Sequence, residues 1–133
     1  MKVNALDHIN IVTDDLAGTV RFFVDIFGLD VRDAPPPLPP EQFQWLYDES
    51  NRAIFHIVSK AAKQAYPRET PIGGLTGAIH HVALSCSGYE TFTEKLQAHN
   101  IEYRTNTVAS ANLRQIFFTE PNGVLLELNF RQD

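Results

Sequence analysis

Only one cysteine, Cys86, occurs in the chain, which excludes an intrachain disulfide framework. Cys86 lies in an apolar, strand-like run and reads as a small buried hydrophobe, since nothing beside it in sequence would lower a thiol pKa. Basic residues are also scarce. Eleven Lys and Arg stand against 16 Asp and Glu, the formal net charge is -5, and no run of Lys and Arg occurs. A nucleic-acid binder needs a basic face to neutralise phosphates, so nucleic acid is not an expected partner. Long apolar runs are missing too. None approaches the roughly 20 residues that span a bilayer, and Asn4, Asp7 and His8 interrupt any apolar opening segment. The expectation is a cytoplasmic protein with no membrane partner. What is present, 44% hydrophobic and 20% charged residues over 133 positions, suits one soluble domain with a core of its own.

The chain reads as two copies of one unit. The first copy opens with a strand, Leu6 to Thr13, followed by a helix from about Asp15 to Phe27. Asp14 or Asp15 is placed to cap that helix, and Gly28 to end it in the left-handed conformation. Further strands are expected at Leu29 to Arg32, Gln44 to Tyr47 and Ala53 to Ser59. In the second copy, Ile79 to Cys86 is a strand. Tyr89 to His99 is a helix with Phe92 and Leu96 on one face, ended by Asn100. Strands follow at Ile101 to Arg104, Gln115 to Thr119 and Val124 to Phe130, the last two joined by the turn Glu120-Pro121-Asn122-Gly123. His8 and His81 lie 73 residues apart, Gly28 and Asn100 lie 72, and His56 and Glu127 lie 71. Such matched landmarks point to an α+β fold of two βαβββ modules, 1–59 and 78–133, forming a curved mixed sheet around a cleft. The segment 34–40, rich in Pro, should be extended and stiff. Residues 60–77 form a linker.

Alternation along strands sorts side chains by face. His8 and Asn10 oppose Ile9 and Ile11. His81, Ala83 and Ser85 oppose Val82 and Leu84. His56 opposes Phe55 and Ile57, and Leu125, Glu127 and Asn129 oppose Leu126, Leu128 and Phe130. A carboxylate inside Val-Leu-Leu-Glu-Leu is costly to bury alone and requires water, a cation or a metal beside it, unless the strand is a solvent-facing edge. Three histidines at equivalent strand centres, together with that carboxylate, suit Zn, Fe, Ni, Mn or Co.

These residues carry a resemblance. Asp7-His8-Ile9-Asn10-Ile11, Phe22-Phe23 leading into Phe27-Gly28-Leu29, Ile79-His80-His81-Val82-Ala83-Leu84 and Thr119-Glu120-Pro121-Asn122-Gly123-Val124-Leu125-Leu126-Glu127-Leu128 together resemble the vicinal oxygen chelate (glyoxalase/bleomycin resistance/dioxygenase) superfamily. The resemblance spans nearly the whole chain and is specific for the superfamily, not for one reaction. It implies His8, His81 and Glu127 as ligands of a divalent ion (Zn, Ni, Co, Mn or Fe(II)) in the cleft, and assembly as a homodimer. His56 falls where glyoxalase I-like members have Glu and epimerase-like members Gln. It is carried here as a fourth ligand or, off the metal, as a base.

Two His and one carboxylate leave coordination positions for a small substrate that chelates through neighbouring oxygens. The implied activity is a glyoxalase-like lyase or isomerase, with Glu127 or His56 moving a proton beside a carbonyl. The same triad on Fe(II) fits an extradiol-type dioxygenase. Opening of an epoxide, as in fosfomycin-resistance relatives, is a third chemistry, although basic residues to hold a phosphonate are sparse. Bleomycin-resistance-like members bind a small molecule without catalysis. Arg114, Tyr103 and Trp45 are the candidate substrate contacts: Arg114 as a clamp for an anionic group or else a solvated surface arginine, Tyr103 as a hydrogen-bond donor or a half-buried structural residue, Trp45 as a lining of the cleft mouth or simple packing. His80 points away from His81 and reads as structural. His99 lies in the last turn of its helix, where a cation complements the dipole.

Overall fold

A computed structural model describes residues 1–2, 4–62 and 79–131. By contacts the chain divides into two compact units, Met1–Ile72 and Gly73–Asp133. The first unit holds strand β1 (Ile9–Thr13), helix α1 (Leu16–Phe27) and strands β2 (Asp30–Asp33), β3 (Phe43–Tyr47) and β4 (Ala53–Ser59). The second repeats the order as β5 (Val82–Ser85), α2 (Tyr89–Ala98), β6 (Arg104–Val108), β7 (Leu113–Thr119) and β8 (Leu125–Arg131), with a 3-10 turn at Ala109–Ala111. Each sheet is four-stranded and mixed, in the orders β1-β4-β3-β2 and β5-β8-β7-β6. The first strand of each unit runs parallel to its last, and the remaining pairs are antiparallel. This is the expected βαβββ architecture, present twice. Among the described residues no helix is long and apolar enough to cross a membrane.

Local signals explain the elements. Asp15 caps α1 by accepting from the Gly18 N–H at 2.9 Å, and Gly28 ends the helix with φ at 67°. Asn100, with φ at 54°, follows α2 in the same left-handed conformation. In the Glu120–Gly123 turn the Glu120 carboxylate, 2% exposed, accepts from the backbone N–H groups of Asn122 and Val124 and from the Asn122 amide. One face of the first sheet buries Ile11, Leu46, Phe55 and Ile57, and α1 contributes Phe23 and Ile26. The Phe23 and Phe55 rings are 4.7 Å apart. A buried hydrogen bond of 2.9 Å joins the hydroxyls of Thr13 and Thr19. In the second unit Ile116, Phe118, Leu126, Leu128 and Phe130 are buried on one sheet face. Helix α2 buries Leu96 and sets Tyr89 and Phe92 edge-on to Phe130.

Several expected boundaries move. The first strand of each unit starts at Ile9 and Val82, not at Leu6 and Ile79, which are 77% and 67% exposed. His8 and His81 therefore stand just before their strands, while His56 is mid-strand in β4. Strand β6 lies at Arg104–Val108, beginning where the expected strand Ile101 to Arg104 was to end, and β7 starts at Leu113, two residues before the expected Gln115. Continuous pairing from Arg104 with Phe117 to Val108 with Leu113 overrides the turn preference of Asn106. The Pro-rich segment is not extended throughout. Leu38 N–H donates to the Pro35 carbonyl, and the N–H groups of Gln42 and Phe43 to that of Pro39. Proline fixes φ but leaves ψ free to turn. Ala34 is buried with Phe43 and Val58, and Leu38, Trp45 and Ala62 pack on that cluster.

Candidate functional site

On the first sheet, β1, β4 and β3 place Asn10, His56 and Trp45 side by side, because these three are direct cross-strand partners. Their side chains share the face opposite α1. The Trp45 and His56 rings stack at 3.9 Å with planes 2° apart, and His8 stacks on His56 at 3.8 Å with planes 15° apart. Burial between these rings pushes the His56 imidazole down to about 4; the neighbouring His8 acts in the same direction and Asp7 opposes it. His56 is therefore neutral near pH 7. The Asp7 carboxylate accepts from His8 Nδ1 at 2.6 Å, which leaves His8 Nε2 as an open donor atom. Lone pairs of an imidazole lie in the ring plane, so two stacked, nearly parallel rings do not aim at one ion. As placed, His8 and His56 do not both direct a nitrogen to one ion.

On the second sheet, β8 carries Glu127 and Asn129 on the face opposite α2, and β7 sets Gln115 directly across from Asn129. Gln115, 9% exposed, donates through Nε2 to Glu127 Oε1 at 2.8 Å and to Asn129 Oδ1 at 2.9 Å. Asn129 Nδ2 donates to the same Glu127 Oε1 at 2.9 Å, and Asn106 Nδ2 to Gln115 Oε1 at 2.8 Å. The second carboxylate oxygen, Oε2, faces His81 Nε2 at 3.1 Å. His81 Nδ1 meets His80 Nδ1 at 3.0 Å, a hydrogen bond in which one of the two nitrogens donates its proton and the other accepts. His80 is thus a neighbour of His81 and not a residue of the opposite face.

The donor chemistry of this pair fits a divalent ion. With bonds of about 2.1 Å, adjacent ligand atoms stand about 3.0 Å apart in an octahedral shell and about 3.4 Å in a tetrahedral one. The His81–Glu127 separation lies in that range. Oε1 is held by two amide N–H groups, which orients Oε2, as supporting groups do for ligating carboxylates. Among the described residues no group of three His, Cys, Asp or Glu that could hold an ion occurs; the candidates are brought together as two pairs, His8 with His56 and His81 with Glu127.

The remaining expected contacts are placed as follows. Arg114 pairs with Phe130 across β7 and β8, on the α2 side of the sheet and away from Glu127. Its guanidinium lies 3.4 Å over the Tyr89 ring and 2.6 Å from the Glu90 carboxylate, so its charge is engaged within the unit. That pairing lowers the Glu90 pKa and raises that of Arg114. Tyr103 accepts from Gln97 Nε2 at 3.0 Å. His99 reaches the Lys95 carbonyl at 2.8 Å, a helix-end contact. Gln115, Asn129, Asn106 and Asp7 carry no functional signature in the sequence alone. Asn129 was already placed on the Glu127 face, but amides in strands carry no signature until the cross-strand register is known.

A model of the Glyoxalase/Bleomycin resistance protein/Dioxygenase superfamily matches residues 5–128. The chain belongs to this superfamily. The vicinal oxygen chelate resemblance is thereby established, and the modules above are those of a glyoxalase fold. No curated protein sequence matches. Solved structures share the fold at low identity. One from the mobile metagenome of V. Pseudocholerae has 14% identity and a TM-score of 0.71, over 100% of this chain and 98% of the other. The genomically encoded fosfomycin resistance protein, FosX, from Listeria monocytogenes has 17% identity and 0.66, over 98% and 96%. Lactoylglutathione lyase from Agrobacterium tumefaciens has 15% identity and 0.65, over 98% and 96%.

Proposed function

We propose that this member of the superfamily is a metal-dependent, glyoxalase-like lyase or isomerase acting on a small substrate that chelates through neighbouring oxygens. Of the ligands that the resemblance implies, His81 and Glu127 would hold the divalent ion together, and His8 is the further candidate ligand. The observation that carries the reading is the His81–Glu127 pair: a nitrogen and an oxygen donor 3.1 Å apart, with the other carboxylate oxygen already anchored by Gln115 and Asn129. The bound ion would supply Lewis-acid stabilisation of negative charge developing on a substrate oxygen.

The chain's own groups account for the rest. Glu127 is the candidate acceptor of the proton beside the carbonyl, and its Oε1 hydrogen bonds keep the carboxylate in one orientation while Oε2 is engaged. His56, neutral and stacked between His8 and Trp45, would hold the His8 ring in place; with its imidazole pushed down to about 4 it is a weak proton acceptor, which leaves Glu127 as the favoured base over His56. Asp7 keeps the His8 proton on Nδ1, the tautomer a ligand needs. Trp45 backs the other face of the His56 ring as an apolar wall. A homodimer belongs to the same proposal, and sedimentation of the purified protein would test it.

The test is elemental analysis of protein purified without chelator or a metal-binding tag, then of protein reconstituted with Zn(II) and, anaerobically, with Fe(II). About one ion per chain, lost in His81→Ala and Glu127→Gln, is expected for a site of this kind. Binding unaffected by these substitutions, or no binding at all, overturns the ligand assignment and favours a non-catalytic small-molecule binder. Oxygen consumption by the Fe(II) form with a catechol replaces the isomerase reading with ring cleavage.

A further inference from the structure

The second sheet places four residues in one row across its strands: Arg104, Phe117, Glu127 and Ala83 are successive cross-strand partners. Direct partners project to the same face, so Arg104 stands on the face of Glu127, two strands away. At about 4.8 Å per strand the two backbone positions are on the order of 10 Å apart. Phe117 lies between them, and the Arg104 guanidinium sits 5.1 Å from its ring centroid. Arg104 makes no ion pair among the described residues, whereas Arg32, Arg52 and Arg114 are each paired with a carboxylate. Arg104 and Phe117 also line an open concavity of about 550 Å³, together with Ile101, Glu102, Tyr103 and Leu125; Glu127 lies outside its lining.

An unpaired guanidinium over a phenyl ring, at the edge of a concavity, suits an oxyanion that can accept two parallel N–H bonds. The ring limits its swing and one edge of the fork stays free for a bidentate partner. We propose that Arg104 anchors an anionic group of the substrate, a carboxylate or a phosphoryl or phosphonyl group, with Phe117 as the floor under an apolar spacer. The substrate is then two-ended: neighbouring oxygens at the Glu127 end and a negative group at the Arg104 end. Arg104 is a specificity-determining residue in this scheme, and it takes the role that the sequence suggested for Arg114. The inference rests on the chelating role proposed above for His81 and Glu127.

Two catechols separate the two claims. 3-(3,4-Dihydroxyphenyl)propionate carries a chelating pair of oxygens and a carboxylate, and its methyl ester keeps the chelating end alone. Binding of each is measured by calorimetry to the Zn(II)-loaded protein and to its Arg104→Gln and Arg104→Lys variants. The wild type should bind the acid on the order of tenfold more tightly than the ester, from one charge-assisted contact. Arg104→Gln should erase that preference with ester affinity unchanged, and Arg104→Lys should restore part of it. Equal affinity of the wild type for acid and ester, or a preference that survives Arg104→Gln, overturns the Arg104 assignment while leaving chelation intact. Absence of ester binding, or ester binding indifferent to Zn(II), overturns the chelation reading itself.

Discussion

Replacing Gln115 with Leu tests whether amide donors hold the Glu127 carboxylate. Gln115 is 9% exposed, and the Glu127 side chain retains 13% of its exposure. The substitution nearly preserves volume, so little cavity cost arises. It removes one of two N–H donors on Glu127 Oε1, at 2.8 Å, and the donor on Asn129 Oδ1 at 2.9 Å. Asn106 is exposed and can turn its amide to water. A hydrogen bond to a charged group contributes about 1.5–3 kcal/mol, and part of the lost second bond is recovered by apolar burial. The net loss should be about 2 kcal/mol. In urea, with a slope of about 2 kcal/mol/M, the unfolding midpoint should fall by about 1 M. In a Glu127→Gln background the acceptor is neutral, and the same substitution should cost about half as much. An unchanged or raised midpoint, or an equal loss in both backgrounds, would refute the idea that these amides hold a charged carboxylate.

Two further outcomes follow from the same structure. Burial pushes the Cys86 thiol up to about 11, so at pH 8 only about a thousandth is thiolate, and alkylation by iodoacetamide should be far slower in the folded protein than in urea; equal rates would contradict it. The Asp48 carboxyl is held below its ordinary 3.8 chiefly by the Arg52 backbone N–H and also by the Arg52 guanidinium. Because the folded value is depressed, its stabilisation relative to Asp48→Asn should be complete above about pH 4 and disappear as pH falls through the folded value; urea midpoints between pH 2 and 7 measure this, and a pH-independent difference would exclude it.

Much of this protein is legible in one dimension, because periodicity and backbone conformation are local. Hydrophobic residues every second position define strands such as Leu126, Leu128 and Phe130. Gly28 and Asn100 mark helix ends because few residues tolerate positive φ. The doubled landmarks give the two modules, and the position of Glu127 amid leucines announces a carboxylate needing partners. What those partners are is a matter of register, which depends on contacts between distant segments. Only the pairing of β7 with β8 puts Gln115 and Asn129 on Glu127, and only the pairing of β6 with β7 lifts Arg104 onto that face. Arg114 and Arg104 look alike in sequence. A strand reverses its side chains at every residue, so the ladder turns Arg114 towards Tyr89 and Glu90 and leaves Arg104 on the face of Glu127.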